Sequence, residues 1–193
     1  MRNALPPLDG DRPPSARQRI LDVACRLFYQ DGVRATGIDR IIADSAVAKM
    51  SFYRNFKSKA DLVAAYLALR HDRWLAWFTQ AVEEKVAQGG CGLEVIADVL
   101  QLWFQQPDFR GCAFINAVAE SGATDGEDAR ISRQHKRDLR DYLAGLAGRL
   151  SFPAPDAVAE AVLIVIEGTI VRAQMQAGDA AIAAARDLLR VIR

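Results

Sequence analysis

Apolar residues recur along this chain with the 3.6-residue period of helices, and no stretch sustains the two-residue alternation of a half-buried strand. Ile20, Val23, Ala24, Leu27 and Phe28 form the first such face, and Gly32 ends it, which predicts a helix over about 15–31. Thr36 followed by Asp39 has the form of a capping box, with Ile38, Ile41 and Ile42 behind it, predicting a short helix over about 37–44. After Asp44-Ser45-Ala46, a third short helix is expected over about 48–55, with Val47, Phe52 and Phe56 facing inward. Ser58 with Asp61 repeats the capping signal. From Lys59 to about Gln88 there is neither Gly nor Pro, and Leu62, Tyr66, Leu69, Trp77 and Ala81 mark a long helix expected to link two domains.

Breaks then follow at Gly89-Gly90-Cys91-Gly92, Gln106-Pro107-Asp108, Ser121-Gly122 and Phe152-Pro153-Ala154-Pro155. Between them lie helix-length segments at about 93–105, 109–121, 126–150, 156–177 and 179–192. The expected fold is all-α, about nine helices in two bundles, with no internal repeat. Residues 1–14, with Pro6, Pro7, Pro13 and Pro14 among charges, read as a flexible arm, and folded structure is expected from near Ser15.

Composition adds little until it is divided. The 193 residues are 51% hydrophobic and 25% charged, ordinary for a globular protein, and the net charge is only +1. Residues 1–60, however, hold 11 Lys+Arg against 6 Asp+Glu, net +5, and residues 61–193 hold 14 against 18, net −4, which together return the +1. A basic first third suits a polyanion and an acidic remainder does not, so contact with nucleic acid is expected at one end only. The three cysteines, Cys25, Cys91 and Cys112, form no CxxC pair, which supports neither a disulfide framework nor a zinc site, and a reducing cytoplasm is the expected compartment. The longest apolar run, Ala161 to Ile166, falls far short of the ~20 residues of a membrane span, and no secretory leader is visible. No cofactor is expected.

Three short helices in the basic end, the second and third joined by a tight turn, have the organisation of a helix-turn-helix. The third must present short polar and cationic side chains to a major groove while its other face packs inward. With Val47, Phe52 and Phe56 inward, the outward candidates are Lys49, Met50, Ser51, Tyr53, Arg54 and Asn55, and Lys59 in the first turn of the long helix adds a phosphate contact.

The residues that carry this organisation resemble the TetR family of bacterial transcriptional repressors. The resemblance runs from Arg17 to about Leu62. It takes in Ile20-Leu21-Asp22-Val23-Ala24, Leu27-Phe28, Asp31-Gly32-Val33-Arg34-Ala35-Thr36, Ile41, Val47-Ala48-Lys49-Met50-Ser51-Phe52-Tyr53-Arg54-Asn55-Phe56 and Lys57-Ser58-Lys59-Ala60-Asp61-Leu62. It implies that Tyr53 and Lys59 touch phosphates, that Lys49, Met50, Ser51 and Arg54 stand near base edges, and that Thr36 and Arg40 lie by the DNA backbone. Two positions depart from the family pattern: Ala46 stands where a turn Gly is usual, and Met50 where a small Gly often follows the Lys. The division expected is an arm over 1–14, a DNA-binding domain over 15–60, and a ligand-binding and dimerisation domain over 61–193.

In the acidic part, Cys112, Asn116 and Glu120 are four residues apart and share one face of an otherwise apolar helix. A Gly-Cys-x-x-x-Asn-x-x-x-Glu pattern also resembles one branch of the family. Buried Asn and Glu require partners, either an inducer's polar groups or Arg130, Arg133 or Arg137 from the next helix. Trp74, Trp77, Phe78, Trp103, Phe104 and Phe114 are expected to cluster. Most should be core, and Trp77, Phe78, Trp103 and Phe104 join Cys112, Asn116 and Glu120 as candidate ligand contacts. The last two helices, with Val158, Ala161, Val162, Val165, Ile166, Thr169 and Ile170, carry more apolar surface than one packed face uses, which points to a homodimer through them.

The expectation is a homodimeric repressor that binds a near-palindromic operator in double-stranded DNA and is released by a small molecule. A ligand-independent DNA binder is the alternative. An enzyme has little support: there are two histidines, His71 and His135, and no Glu-x-x-His motif, phosphate loop or Gly-x-Ser-x-Gly elbow. Both histidines are expected at the surface or in pairs.

Overall fold

The computed structural model describes residues 13–122 and 125–192, so most of the expected arm and residues 123–124 lie outside the described part. Nine helices and no strand occur among the described residues. They are α1 (Ala16–Asp31), α2 (Ile38–Ser45), α3 (Lys49–Asn55), α4 (Lys59–Ala87), α5 (Val95–Phe104), α6 (Ala113–Ser121), α7 (Glu127–Arg149), α8 (Pro155–Gln174) and α9 (Gly178–Val191).

The ends of these helices follow from local chemistry. Ser15 caps α1 by accepting from the Gln18 N–H at 3.2 Å, and Gly32 closes it with a φ of 92° that a side chain would resist. Ser58 caps α4 through the Asp61 N–H at 3.0 Å, and the Asp61 carboxylate reaches back to the Lys57 N–H at 3.1 Å, a reciprocal cap like the one expected. The cap expected at α2 is not made. Gly37 is the N-cap residue and no side chain bonds there. Thr36 instead turns its hydroxyl back to donate to the Gly32 carbonyl at 2.7 Å, and it is wholly buried. A Thr-x-x-Asp spacing fits both arrangements, and here the orphan carbonyl at the end of α1 wins the hydroxyl.

Later boundaries move by a few residues. The segment expected from 109 becomes helical only at Ala113, because Gly111 sits at φ 82° with Gln174 packed where its Cβ would be. The segment expected to reach 177 stops at Gln174, where Gln176 takes a left-handed φ of 65°.

Contacts divide the chain into two compact units at a place other than the expected 60/61 boundary. The first unit comprises the chain up to Arg73 with Ala113–Arg133, and the second comprises Trp74–Cys112 with the chain from Gln134 onward. The helix α4 runs without a break through Arg73, so its first half belongs with α1–α3 and its second half with the later helices.

In the first unit, α1 packs on α2 and α3 around Ile20, Ala24, Leu27, Phe28, Ile41, Phe52 and Phe56, with Leu62 and Tyr66 of α4. Phe28 and Tyr66 meet at 5.5 Å between centroids. In the second unit, α9 packs on α5 and α8 through Ile182, Ala185 and Leu189. Ion pairs tie its helices at the surface: Arg140 to Asp156 and Glu160 at 2.8 Å, and Lys136 to Glu167 at 3.0 Å.

Candidate nucleic-acid interface and aromatic site

The turn between α2 and α3 is made by Ala46, which holds a left-handed conformation (φ 50°, ψ 46°) and whose N–H bonds the Ala43 and Ile42 carbonyls. An alanine there bears a steric cost that glycine would not. The turn aims α3 so that Phe52 and Phe56 are buried and pack 6.3 Å apart, while the opposite arc faces out. Lys49 and Arg54 are exposed on that arc, Met50 is 67% exposed and Tyr53 42%. Ser51 is half-buried, and Asn55 folds back to donate to the Ser51 carbonyl at 2.8 Å, which spends the amide that was expected to face outward. Val47 is half-buried.

Two of the expected contact cations already hold intramolecular partners. Arg40 pairs with Asp31 at 2.8 Å and Lys49 with Asp39 at 3.5 Å. Lys59, at the start of α4, is half-buried; burial lowers its proton affinity and the nearby Glu120 carboxylate partly restores it. Thr36 is the correction in this set. With its side chain buried and its hydroxyl given to Gly32 and Leu27, it cannot offer that hydroxyl to a phosphate.

The candidate ligand residues are distributed over both units. Trp77, Phe78, Trp103, Phe104 and Cys112 belong to the second unit, whereas Asn116 and Glu120 belong to the first. Asn116 is half-buried, and Glu120 is bound from an unexpected direction. Its carboxylate accepts from the backbone N–H of Arg34 at 2.7 Å and lies against Gly32. Two of the three expected arginines hold other partners: Arg130 pairs with Glu127, and Arg137 donates to Gln134. The Glu127 carboxyl is held below its usual range by the Arg130 hydrogen bond.

The aromatic cluster of the second unit is real and larger than expected. Trp74 stacks on Phe78 at 4.9 Å and meets Trp103 and His135 edge-on at 5.3 Å, and Phe109 closes on Trp103 at 5.2 Å and on Phe104 at 4.8 Å. Phe114, also expected in the cluster, is buried and falls within the first unit. His135, expected at the surface or in a pair, is buried against Trp74, a position its place in a charged stretch of α7 conceals. Trp74 Nε1 is buried without a hydrogen-bond partner, an expensive state for a donor. Cys112 is buried, and the Lys136 ammonium approaches its Sγ at 3.8 Å, a neighbour that sequence spacing did not reveal.

The three thiols differ. Cys91 is exposed, and burial pushes Cys25 up to about 12. Among the described residues there is no group of His, Cys, Asp and Glu able to hold a metal, and no helix long and apolar enough to cross a membrane.

Known proteins share these features. The profile of bacterial regulatory proteins of the tetR family matches residues 20–66, the stretch holding α1–α3 and the start of α4. The HTH-type transcriptional regulator AcrR of Shigella flexneri is 48% identical over 46 residues, 24% of this chain and only 21% of that protein. The transcriptional regulator AcuR of Cereibacter sphaeroides is 27% identical over 174 residues, 83% of this chain and 77% of that one. Among solved structures, SCO4454, a TetR-family transcriptional regulator from Streptomyces coelicolor, superposes with a TM-score of 0.79 at 26% identity, covering 92% of this chain and 95% of that one. A regulator that reads DNA through a helix-turn-helix accounts for the exposed polar arc of α3 and the inward Phe52 and Phe56. Residues 20–66 carry a helix-turn-helix that matches the tetR family, and the chain is similar over most of its length to TetR-family transcriptional regulators.

Proposed function

We propose that the protein is a homodimeric repressor that binds a near-palindromic operator and leaves it when a small molecule occupies the second unit. Lys49, Met50, Ser51 and Arg54 read base edges, while Arg40, Tyr53 and Lys59 hold phosphates. The observation that carries the reading is an unfilled apolar stripe on a helix whose other face is already packed. Along α8, Ile164 is 70% exposed, Val171 39% and Met175 75%, with Gly168 completing the i, i+4, i+7, i+11 row. On α9, Leu188 and Val191 are also exposed apolar residues. These are not the residues named from sequence, of which Val158, Val162, Ile166, Thr169 and Ile170 are buried within the unit. A second copy laid on the stripe would supply the second α3 that a two-fold operator requires, its half-sites lying one helical turn, about 34–36 Å, apart.

A ligand is supported by the buried, unpaired indole N–H of Trp74 inside the ring cluster, which an apolar molecule with a hydrogen-bond acceptor would satisfy. All three tryptophans of the chain lie in that cluster, so their emission reports occupancy directly. The test of the repressor reading joins in vitro selection of duplex DNA to sedimentation. Wild type should enrich an inverted repeat as a dimer, and Ile164→Asp should sediment as a monomer with unchanged helicity and lose that duplex. An Ile164→Asp protein that remains dimeric would sink the interface.

A further inference from the structure

The helix-turn-helix is not closed by its own residues. The turn between α1 and α2 is held at both ends by side chains from different places in the sequence. Thr36 supplies the local tie, its hydroxyl donating to the Gly32 carbonyl at 2.7 Å. The distant tie is Glu120, in the last turn of α6, whose Oε2 accepts from the Arg34 N–H at 2.7 Å across 86 residues. The fit is close. A Cβ on Gly32 would stand 3.0 Å from Glu120 Oε1 and 3.2 Å from Oε2, so the carboxylate lies where only a glycine leaves room. The same carboxylate faces Lys59 and favours its charged form, against the burial that disfavours it. One acidic side chain therefore touches the turn that launches α2 and acts on the cation that opens α4.

A carboxylate beside a surface meant for phosphates is unfavourable by charge alone, so its value must lie elsewhere. An ionised carboxylate accepting a backbone N–H is among the stronger hydrogen bonds available to a turn. The peptide it holds lies in the turn that leads into α2, whose Arg40 and Asp39 precede α3 and whose C-terminal turn at Ala46 aims it. A loosened turn leaves the core of Ile20, Leu27, Ile41 and Phe52 intact while letting α2 shift.

We propose that Glu120 is a positioning residue for DNA binding: from α6 it fixes the α1–α2 turn through the Arg34 N–H and so sets the posture in which α2, α3 and Lys59 meet the duplex. This role rests on the operator-binding reading above, and it assigns to a helix outside the helix-turn-helix a part in the geometry of DNA contact.

The test compares the full-length wild type with Glu120→Ala and Glu120→Gln, using a duplex enriched by selection with wild type. Glutamine keeps an acceptor for the Arg34 N–H and alanine does not. Glu120→Ala should bind the selected duplex roughly tenfold more weakly, the size expected for loss of a hydrogen bond to a charged group. Glu120→Gln should stay within about threefold of wild type. Amide exchange at Arg34 should accelerate in the alanine variant and be protected in the glutamine variant, with the exchange of Leu27 and Phe28 in α1 unchanged in both. Equal duplex affinity for wild type and Glu120→Ala would overturn the proposal while leaving the repressor reading standing. If Glu120→Ala fails to fold, Glu120→Gln decides: unprotected Arg34 exchange in it would overturn the role. A wild-type protein that enriches no duplex would overturn the repressor reading and this role together.

Discussion

The α3 surface of the first unit and the aromatic cluster of the second follow opposite plans. On α3 the chemistry faces out and the hydrophobic residues serve it: Phe52 and Phe56 anchor a seven-residue helix too short to be stable alone, so that Lys49, Met50, Tyr53 and Arg54 stand at fixed points. In the second unit the rings are themselves the enclosed feature, and one polar atom among them, Trp74 Nε1, is buried without a hydrogen-bond partner. A surface built to meet a rigid duplex must be right before contact. The proposed ligand site, by contrast, would be completed only when its occupant supplies the missing acceptor.

Three measurements break or sharpen this contrast. The largest effect belongs to the anchors. Phe52→Ala and Phe78→Ala each remove a fully buried ring and should each cost about 3–5 kcal/mol of stability. Tryptophan emission reports only the second unit, whereas circular dichroism reports both, so Phe52→Ala should shift the dichroism-detected transition ahead of the emission-detected one and Phe78→Ala should shift both. Identical shifts in both signals for Phe52→Ala would show that the two units melt as one.

Next come the outward residues. Lys49→Ala and Arg54→Ala should each weaken binding to a selected duplex by about 1–3 kcal/mol, with thermal stability within about 0.5 kcal/mol of wild type. Uniform weakening on selected and random duplexes alike would reassign them from base edges to phosphates.

The smallest effect is a gain. Ala46→Gly should raise stability by about 1 kcal/mol, since glycine occupies the left-handed turn without the strain that alanine carries there. No gain in chemical denaturation would mean that the added freedom of the unfolded chain offsets the relieved strain.

Much of the first unit was legible in the sequence because its signals are local. The period of Ile20, Ala24, Leu27 and Phe28, the stop at Gly32 and the Ser58–Asp61 cap each lie within one or two helical turns, and the structure follows them to within about a residue. The inward pair Phe52 and Phe56 was legible for the same reason. Orientation at branch points was not. Thr36 could cap α2 or close α1 with equal sequence support, and only the packed turn decides. Glu120 shares a helical face with Cys112 and Asn116, which suggested a common pocket, but α6 begins at Ala113 and packs with the first unit, so the face is divided between two surroundings. A partner that is a backbone N–H, as for Glu120 at Arg34, leaves no mark on residue type. The burial of His135 and the approach of Lys136 to Cys112 were hidden likewise, because α7 reads as a charged helix along its whole length.

The pairs Arg40–Asp31 and Lys49–Asp39 carry one further consequence for the proposed complex. Asp31 and Asp39 are tethered counterions: they neutralise two cations of the recognition surface before any DNA arrives, and they cannot diffuse away when it does. When a phosphate takes either cation, the duplex still sheds its own condensed counterion, but a protein ion pair is broken and the Asp31 or Asp39 carboxylate is left beside the phosphate. Each of these two contacts should therefore add less affinity than an unpaired basic residue would.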